Sequence, residues 1–242
     1  MNGPRGEPLA ARRLKPPPDR LYGRNRAHSP SARQRRLLSE FLPRLRFTLA
    51  DAADPVGAFS PRPAEVWLEV GFGAGEHALA TIEARPEIGL IACEVFENGV
   101  ASLLSRLVPE GAEANTTLPG NLRLWNDDAR SLIRALPDAS IARLFLLFPD
   151  PWPKVRHAKR RFLHPANVPA VARILAPGAE WRIATDDPVN QAWSRDVLAG
   201  QEFFHAPPPA AERPAGWPPT RYEAKARAAG RPVLYWRLIR RG

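Results

Sequence analysis

The sequence predicts an α/β protein built on a mostly parallel β-sheet with helices on both faces. Three observations lead to this prediction. Strand-like and helix-like segments alternate from residue 65 to residue 200. The segment at 141–149, apolar apart from Arg143, is typical of a strand buried inside a parallel sheet. A glycine-rich turn follows the first strand directly and precedes a helix, as at the ligand site of many open α/β sheets.

The elements follow one another in a regular order. An amphipathic helix is predicted first, over 31–45, with Ser31 as its N-cap and an apolar stripe that includes Leu37 and Phe41. Short runs rich in apolar residues predict strands at 65–71, 89–96, 121–128, 141–149 and 179–187. Helices are predicted between and after them, at 76–86, 98–109, 129–137, 167–178 and 188–200. A proline-rich loop at 206–219 then leads to a last strand at 232–240, expected at or near the sheet edge.

The ends of the chain differ in composition. Residues 1–32 are rich in Pro, Gly and Arg and hold few apolar side chains, so we expect a disordered basic N-terminal tail. Residues 33–242 then form a single domain.

Composition limits the kinds of partner. The 242 residues carry a formal net charge of +10, which favours a polyanionic partner because neutralised phosphates release counterions. The single cysteine, Cys93, excludes an intrachain disulfide framework, and the sequence offers no convincing metal cluster. With no long apolar span and no signal-peptide pattern, we expect a cytoplasmic protein with no membrane segment.

The glycine turn predicts a nucleotide-like ligand. Gly71, Gly73 and Gly75 lie between a strand and a helix, and Glu94 ends the next strand, roughly 20 residues further on. An acid at that position can accept hydrogen bonds from ribose hydroxyls. The glycine spacing differs from the G-x-G-x-x-G of dinucleotide binders, which disfavours the rival interpretation, an NAD-dependent oxidoreductase.

Two further acidic positions belong to the same predicted site. Asp128 follows the third strand, where a carboxylate could accept from an adenine amino group; the adjacent Asp127 remains an alternative. Glu69, just before the glycines, could face the positively charged or amino end of a ligand.

The stretch from Leu144 to Pro165 combines an acid, an aromatic ring and a basic cluster. Asp150 follows the fourth strand between two prolines that stiffen the backbone, and Trp152 comes next. An Asp can accept from the Watson–Crick edge of guanine, and a Trp can stack on an extruded base. The basic residues that follow could hold the surrounding phosphates, although such a run can also be a solvated face: Lys154, Arg156, His157, Lys159, Arg160 and Arg161.

With these motifs, the chain resembles the bacterial tRNA (guanine-N7)-methyltransferase family. The resemblance is carried by FPDPWPKVRHAKRRF, and extends through LEVGFGAGEH, ACEVFENGV, NDDARSLI, ATDD and TRYEAKARAAG. It implies a Rossmann-like class I methyltransferase fold with a mostly parallel seven-stranded sheet. It also implies methyl transfer from S-adenosylmethionine to N7 of a guanosine in tRNA. The position usual for the family, and so implied here, is guanosine 46.

The resemblance also implies roles for particular residues. Methyl-donor contacts are expected from the acidic positions and the glycine turn: Glu69, Gly71, Gly73, Gly75, Glu94, Asp128 and Asp150. Substrate contacts are expected from Lys154, the basic residues from Arg156 to Arg161, Asp186, Thr220, Arg221, Tyr222 and Glu223. Tyr222 stands where the family commonly has Phe.

Asp150 is the expected catalytic residue. Guanine N7 already has a lone pair, so a general base is unnecessary, and a carboxylate can orient the base and stabilise the cationic product ring. A non-catalytic RNA-binding protein would leave the acids at successive strand ends unexplained, and a small-molecule methyltransferase would not need the basic cluster. The sequence leaves the oligomeric state open.

Overall fold

The computed structural model describes residues 29–242, and its strands form one seven-stranded sheet. The strands are β1 (Glu65–Val70), β2 (Ile88–Cys93), β3 (Leu122–Trp125), β4 (Ile141–Leu147), β5 (Leu175–Thr185), β6 (Phe204–His205) and β7 (Leu234–Arg240). Their order in the sheet is β3-β2-β1-β4-β5-β7-β6. Strands β1 to β5 are parallel, and β7 is antiparallel to both of its neighbours. The predicted mostly parallel sheet of seven strands is confirmed.

Helices pack on both faces of this sheet. They are α1 (Ala32–Glu40), α2 (Leu42–Leu45), α3 (Glu76–Ala84), α4 (Glu97–Leu107), α5 (Ala129–Ala135), α6 (Val168–Ile174), α7 (Pro188–Ala199) and α8 (Arg221–Ala228). Successive strand side chains point to opposite faces, which divides the core into two layers. Leu68 packs in one layer with residues of α5, α6 and α7, while Trp67 packs in the other with residues of α1, α3 and α4.

The first predicted helix is divided into two. Ser31 caps α1 as predicted, and its hydroxyl accepts from the N–H of Gln34 while the Gln34 side chain accepts from the Ser31 N–H. The prediction of one helix over 31–45 is wrong, because α1 ends at Glu40 and α2 begins at Leu42, with Phe41 between them. Pro43 lies in the first turn of α2, a position that suits a residue without an N–H but interrupts a continuous helix.

Strand β5 begins earlier than the sequence predicts. The predicted helix over 167–178 ends at Ile174, and Leu175 already pairs with Ile141 of β4. The pairing then shifts register before Arg143 meets Glu180. Pro177 cannot continue a helix, and Gly178 adopts a φ of +80°, so the chain bulges there and re-enters the sheet.

The C-terminal region completes the sheet. The predicted last strand is observed as β7, one place in from the edge strand β6, which has only two residues and was not predicted. Helix α8 was not predicted as a helix either. Residues 1–28, which hold most of the predicted basic tail, lie outside the described residues, and the division at residue 32 stays a prediction. Arg33, just after the predicted tail, lies in α1 and forms an ion pair with Glu113 at 3.2 Å.

Candidate active site

A cleft of about 770 Å³ opens at the carboxyl ends of the first four strands. Its lining includes Gly71 and Gly73 after β1, Glu94 after β2, Asp128 after β3 and Asp150 after β4. The parallel strands therefore bring together side chains that are far apart in sequence, at the edge where open α/β sheets hold their ligands. We call this space the carboxyl-end cleft.

The glycine turn forms one wall of the cleft and starts α3. Gly71, Gly73 and Gly75 have φ values of +79°, +61° and +84°, a conformation that other residues rarely adopt. Gly71 and Gly73 line the cleft, whereas Gly75 does not. A Cβ at Gly75 would lie 2.7 Å from the Leu103 side chain on α4. The third glycine thus permits close helix packing behind the site.

Glu94 holds the glycine turn through its carboxylate. Its Oε2 accepts from the Gly73 N–H at 2.8 Å, and its Oε1 accepts from the N–H groups of Val95 and Phe96, both at 2.9 Å. Burial raises the pKa of Glu94 above its ordinary 4.5, these backbone donors oppose the rise, and the nearby Asp150 charge adds to it. A carboxylate has about four acceptor positions, so about one remains for a ligand.

Glu69 lies behind the cleft rather than in its lining. Its side chain is buried, and its Oε2 lies 3.0 Å from Nδ1 of His77 on α3. His77 in turn meets the Phe145 ring edge-on, with the ring centroids 4.8 Å apart. The structure thus gives the Glu69 carboxylate a protein partner, and its contact with a methyl donor stays a prediction.

The third strand brings both candidate aspartates to the cleft. Asp128 caps α5 by accepting from the Arg130 N–H at 2.9 Å, and it also pairs with the Arg130 guanidinium, whose Nε lies 2.9 Å from Oδ2. Asp127 is exposed and accepts from the Asp128 N–H at 2.7 Å. Both residues line the cleft, so the choice between them stays open.

Asp150 lies at the centre of a strained turn, residues 148–152, which we call the Asp150 turn. Phe148 and Trp152 have φ values of +51° and +43°, an uncommon region for large side chains. The Phe148 N–H donates to the Ala184 carbonyl at 2.7 Å, which ties the start of the turn to β5. The exposed Asp150 carboxylate lines the cleft beside Glu94. Such strain is commonly found at functional sites.

The predicted basic cluster follows as a 3-10 helical segment, Val155–Arg160. Lys154 and Arg156 are exposed, and Lys159 is partly exposed. Arg160 lies over the Trp152 ring at 4.8 Å, and His157 meets the same ring edge-on at 5.8 Å. Partial burial and the surrounding cations lower the pKa of His157.

Arg161 differs from its neighbours. It is 7% exposed, and its guanidinium donates to two carbonyl oxygens of the Asp150 turn. Arg161 was predicted to bind phosphates together with its neighbours, but its guanidinium contacts the protein backbone.

The residues implied only by the family resemblance are divided between the cleft and its surroundings. Tyr222 lines the cleft and stacks on Phe148, with centroids 6.1 Å apart and planes at 22°. Thr220 caps α8 by accepting from the Glu223 N–H at 3.0 Å, and Arg221 lies over the Tyr222 ring at 5.3 Å.

Glu223 and Asp186, the other two residues implied by the family resemblance, have protein partners and lie outside the cleft lining. Glu223 is 4% exposed and accepts from Arg213 at 3.2 Å and Arg227 at 3.0 Å. Asp186 accepts from Arg231 at 2.7 Å. Their substrate contacts stay predictions.

Three residues at or near the site were not predicted from the sequence. Phe148 forms part of the cleft and stacks on Tyr222, and Arg130 pairs with Asp128. Asn190 on α7 donates to the Pro149 carbonyl at 3.1 Å. A large apolar residue at a strand end, a lone Arg and an Asn in a helix carry no local signal for these contacts.

Residues 29–242 contain neither a cluster of metal ligands nor a helix that could span a membrane. No group of three or more His, Cys, Asp and Glu side chains is placed to hold a metal ion there. Within the same range, every helix is too short or too polar to cross a membrane.

The fold is the Rossmann-like fold of class I methyltransferases. The chain superimposes on the crystal structure of the 16S rRNA methyltransferase KamB with a TM-score of 0.57, covering 81% of this chain and 95% of that one at 17% identity. At that identity the likeness concerns the fold. A family model described as "Putative methyltransferase" matches residues 63–236.

The sequence relatives are more specific. The chain is 59% identical over 229 residues to the tRNA (guanine-N(7)-)-methyltransferase of Granulibacter bethesdensis, covering 94% of this chain and 98% of that protein. It is 44% identical over 232 residues to the enzyme of the same name from Rhodospirillum rubrum, covering 92% and 88%. The protein belongs to the tRNA (guanine-N(7)-)-methyltransferase family, which confirms the resemblance and sets aside the oxidoreductase and the non-catalytic RNA-binding interpretations.

Proposed function

We propose that this protein transfers a methyl group from S-adenosylmethionine to N7 of a guanosine in tRNA, giving 7-methylguanosine. The observation that carries the proposal is one shared cleft: Glu94, Asp128 and Asp150 all line it, and the basic segment 154–161 lies beside it. Family membership supplies the reaction, and the cleft supplies a place where a nucleoside donor and an extruded base could meet.

The cleft has the volume and the acceptors that such a donor needs. About 770 Å³ is within the range of small-molecule sites. Glu94 retains about one acceptor position for a ribose hydroxyl, and Asp127 or Asp128 could accept from an adenine amino group. When bound, S-adenosylmethionine supplies an electrophilic methyl group on a sulfonium.

Asp150 orients the guanine and stabilises its developing charge. The N7 lone pair would attack the methyl carbon while the carbon–sulfur bond of the donor breaks, and the bonding electrons would return to sulfur, which leaves as a neutral thioether. No residue therefore has to remove a proton first. The ring becomes cationic as the bond forms, and a fixed carboxylate nearby favours that charge. Holding the reactants in line can supply several kcal/mol of the barrier.

The substrate is bound at the rim of the cleft. Lys154, Arg156, Lys159 and Arg160 contact tRNA phosphates, and Trp152 or Tyr222 offers a ring for stacking. We further propose that the modified residue is guanosine 46 and that the protein acts in the cytoplasm, where tRNA is found.

Nucleoside mass spectrometry after incubation with bulk tRNA and labelled donor tests this proposal. We expect 7-methylguanosine from the wild type and a fall of about 100-fold or more for Asp150→Asn, which keeps the shape and removes the charge. Asp196→Asn, an exposed change on α7 outside the cleft lining, is the matched control and should be as active as the wild type. Absence of 7-methylguanosine from the wild type would contradict the function; a fully active Asp150→Asn would contradict only the role of Asp150.

A further inference from the structure

The Asp150 turn needs support from outside its own sequence. Phe148 and Trp152, at its two ends, have positive φ values, and Asp150 between them is exposed. Backbone in this region persists only where surrounding contacts hold it. The prolines at 149, 151 and 153 fix their own φ angles but donate no backbone hydrogen bonds. The Phe148 N–H ties the start of the turn to Ala184, and the side-chain contacts that hold the rest of the turn reach its carbonyl groups.

Three carbonyl oxygens of the turn accept from two side chains. Arg161 donates through Nε to the Pro151 carbonyl and through Nη2 to the Trp152 carbonyl, both at 3.0 Å. Asn190 donates to the Pro149 carbonyl at 3.1 Å. The residues on both sides of Asp150 are thus held, while the carboxylate itself stays available to the cleft.

The two donors are themselves fixed. The Arg161 guanidinium lies over the Trp193 ring at 4.5 Å, and Nε1 of Trp193 donates to the Leu163 carbonyl. Asn190 is 4% exposed and lies in the first turn of α7, where Asp187 accepts from its N–H at 2.9 Å. Helix α7 therefore acts as a rigid base for the turn.

We infer that Arg161 and Asn190 are positioning residues that hold the Asp150 turn in its reactive geometry, and that Arg161 is not a phosphate contact. This inference rests on the proposed role of Asp150. Both arginines line the cleft, but Arg160 provides the contrast because it is partly exposed and its guanidinium lies over the Trp152 ring. The two arginines are adjacent in one basic segment, but Arg161 contacts the protein and Arg160 contacts the substrate.

Substituting Arg161 by Lys distinguishes a phosphate contact from a contact that holds the Asp150 turn. Lys keeps the positive charge but lacks the planar fork that reaches two carbonyl groups at once. A phosphate contact should largely survive the change, whereas the paired hydrogen bonds to the Pro151 and Trp152 carbonyl groups should not. The matched control is Arg173→Lys, since Arg173 also donates to carbonyl oxygens, those of Leu136 and Ile133, but on the α5 side of the sheet and outside the cleft lining.

The experiment measures kcat with saturating tRNA and donor, the Kd for tRNA, and the dependence of that Kd on salt. For Arg161→Lys we expect kcat to fall about 100-fold, as for a reacting group displaced by about 1 Å, with the Kd within twofold and the salt slope unchanged. For Arg173→Lys we expect kcat within about twofold of the wild type. A single melting transition near that of Arg173→Lys confirms that Arg161→Lys is folded.

Two results would overturn the inference. One is a wild-type kcat for folded Arg161→Lys. The other is a reduced salt slope with unchanged kcat, which would make Arg161 a phosphate contact. If Arg161→Lys does not fold, Asn190→Ala decides: a several-fold lower kcat with unchanged tRNA affinity supports the inference, and an unchanged kcat refutes it. Wild-type activity measured in parallel separates either failure from failure of the proposed function.

Discussion

Glu94 links the backbone of the glycine turn to the proposed ligand. Its carboxylate accepts from Gly73, Val95 and Phe96 and still lines the cleft. Protonation would remove both the negative charge and acceptor capacity on that carboxylate. Since burial raises its pKa above 4.5, acidification should affect this residue earlier than an exposed glutamate.

Replacing Glu94 by Gln should weaken binding of S-adenosylmethionine about tenfold or more, because a hydrogen bond to a charged acceptor is lost. Calorimetry should also show the wild-type Kd rising as the pH falls toward the raised pKa of Glu94, while Glu94→Gln varies less over the same range. The exposed Glu83→Gln on α3 is the control. An unchanged Kd for Glu94→Gln would remove Glu94 from the donor site.

Single residues also show where sequence reasoning succeeds. Glu94, Asp128 and Asp150 could be predicted because each lies within three residues of the end of an apolar strand, and parallel strands end at one edge. Arg161 could not be separated from Arg160, because its burial depends on Trp193, which only the tertiary structure brings near. The carboxylate of Glu223 is similarly occupied by Arg213 and Arg227, contacts that no local pattern reveals.

Among the elements, the 3-10 segment Val155–Arg160 is the main candidate for contact with RNA. Lys154, just before it, and Arg156 within it are exposed and lie next to the turn that carries Asp150. Each phosphate contact on a nucleic acid contributes roughly 0.7–0.9 to the slope of log K against log salt. Contacts of this kind change affinity without changing the chemistry in the cleft.

The double substitution Lys154→Ala and Arg156→Ala should therefore lower that slope by about 1 to 2 and weaken tRNA binding. Fluorescence titration at several salt concentrations measures both. A control with the same loss of charge is Arg44→Ala with Arg195→Ala, exposed positions on α2 and α7 outside the cleft lining. Equal slopes for the two double variants would mean that segment 154–161 is a solvated face.

Element boundaries were harder to predict than element types. The helices after each parallel strand were expected and are present, but α6 stops at Ile174 because Pro177 and Gly178 form a bulge that no helix pattern indicates. Strand β6 has two residues, too few for periodicity to be visible. Its place in the sheet depends on pairing with β7.

For the whole molecule, His164 links stability to pH. It is 2% exposed, and its Nδ1 accepts from the Ala166 N–H at 3.2 Å. Burial and the nearby Arg161 charge lower its pKa from 6.5 to about 4. Between those values the unfolded chain binds more protons than the folded one, so the free energy of unfolding decreases as the pH falls from 6.5 toward 4.

Replacing His164 by Asn, which keeps an acceptor but does not titrate, should remove this decrease, worth up to about 3 kcal/mol at about 1.4 kcal/mol per pKa unit. Urea unfolding at several pH values between 4 and 7.5 would measure it. His205→Asn removes an exposed histidine and serves as the control. The same pH dependence in His164→Asn and the wild type would assign the effect to other groups.

The walls of the carboxyl-end cleft come from six separate parts of the chain, from Val70 to Tyr222. No fragment of the sequence holds them all, so the cleft exists only when the sheet and α8 have assembled. A molecule that occupies it thereby favours the native state over every partly assembled one. At a hundred times its dissociation constant, such a molecule adds about 2.7 kcal/mol to the folded protein. Supply of the methyl donor would then also govern how long the enzyme survives proteolysis in the cell.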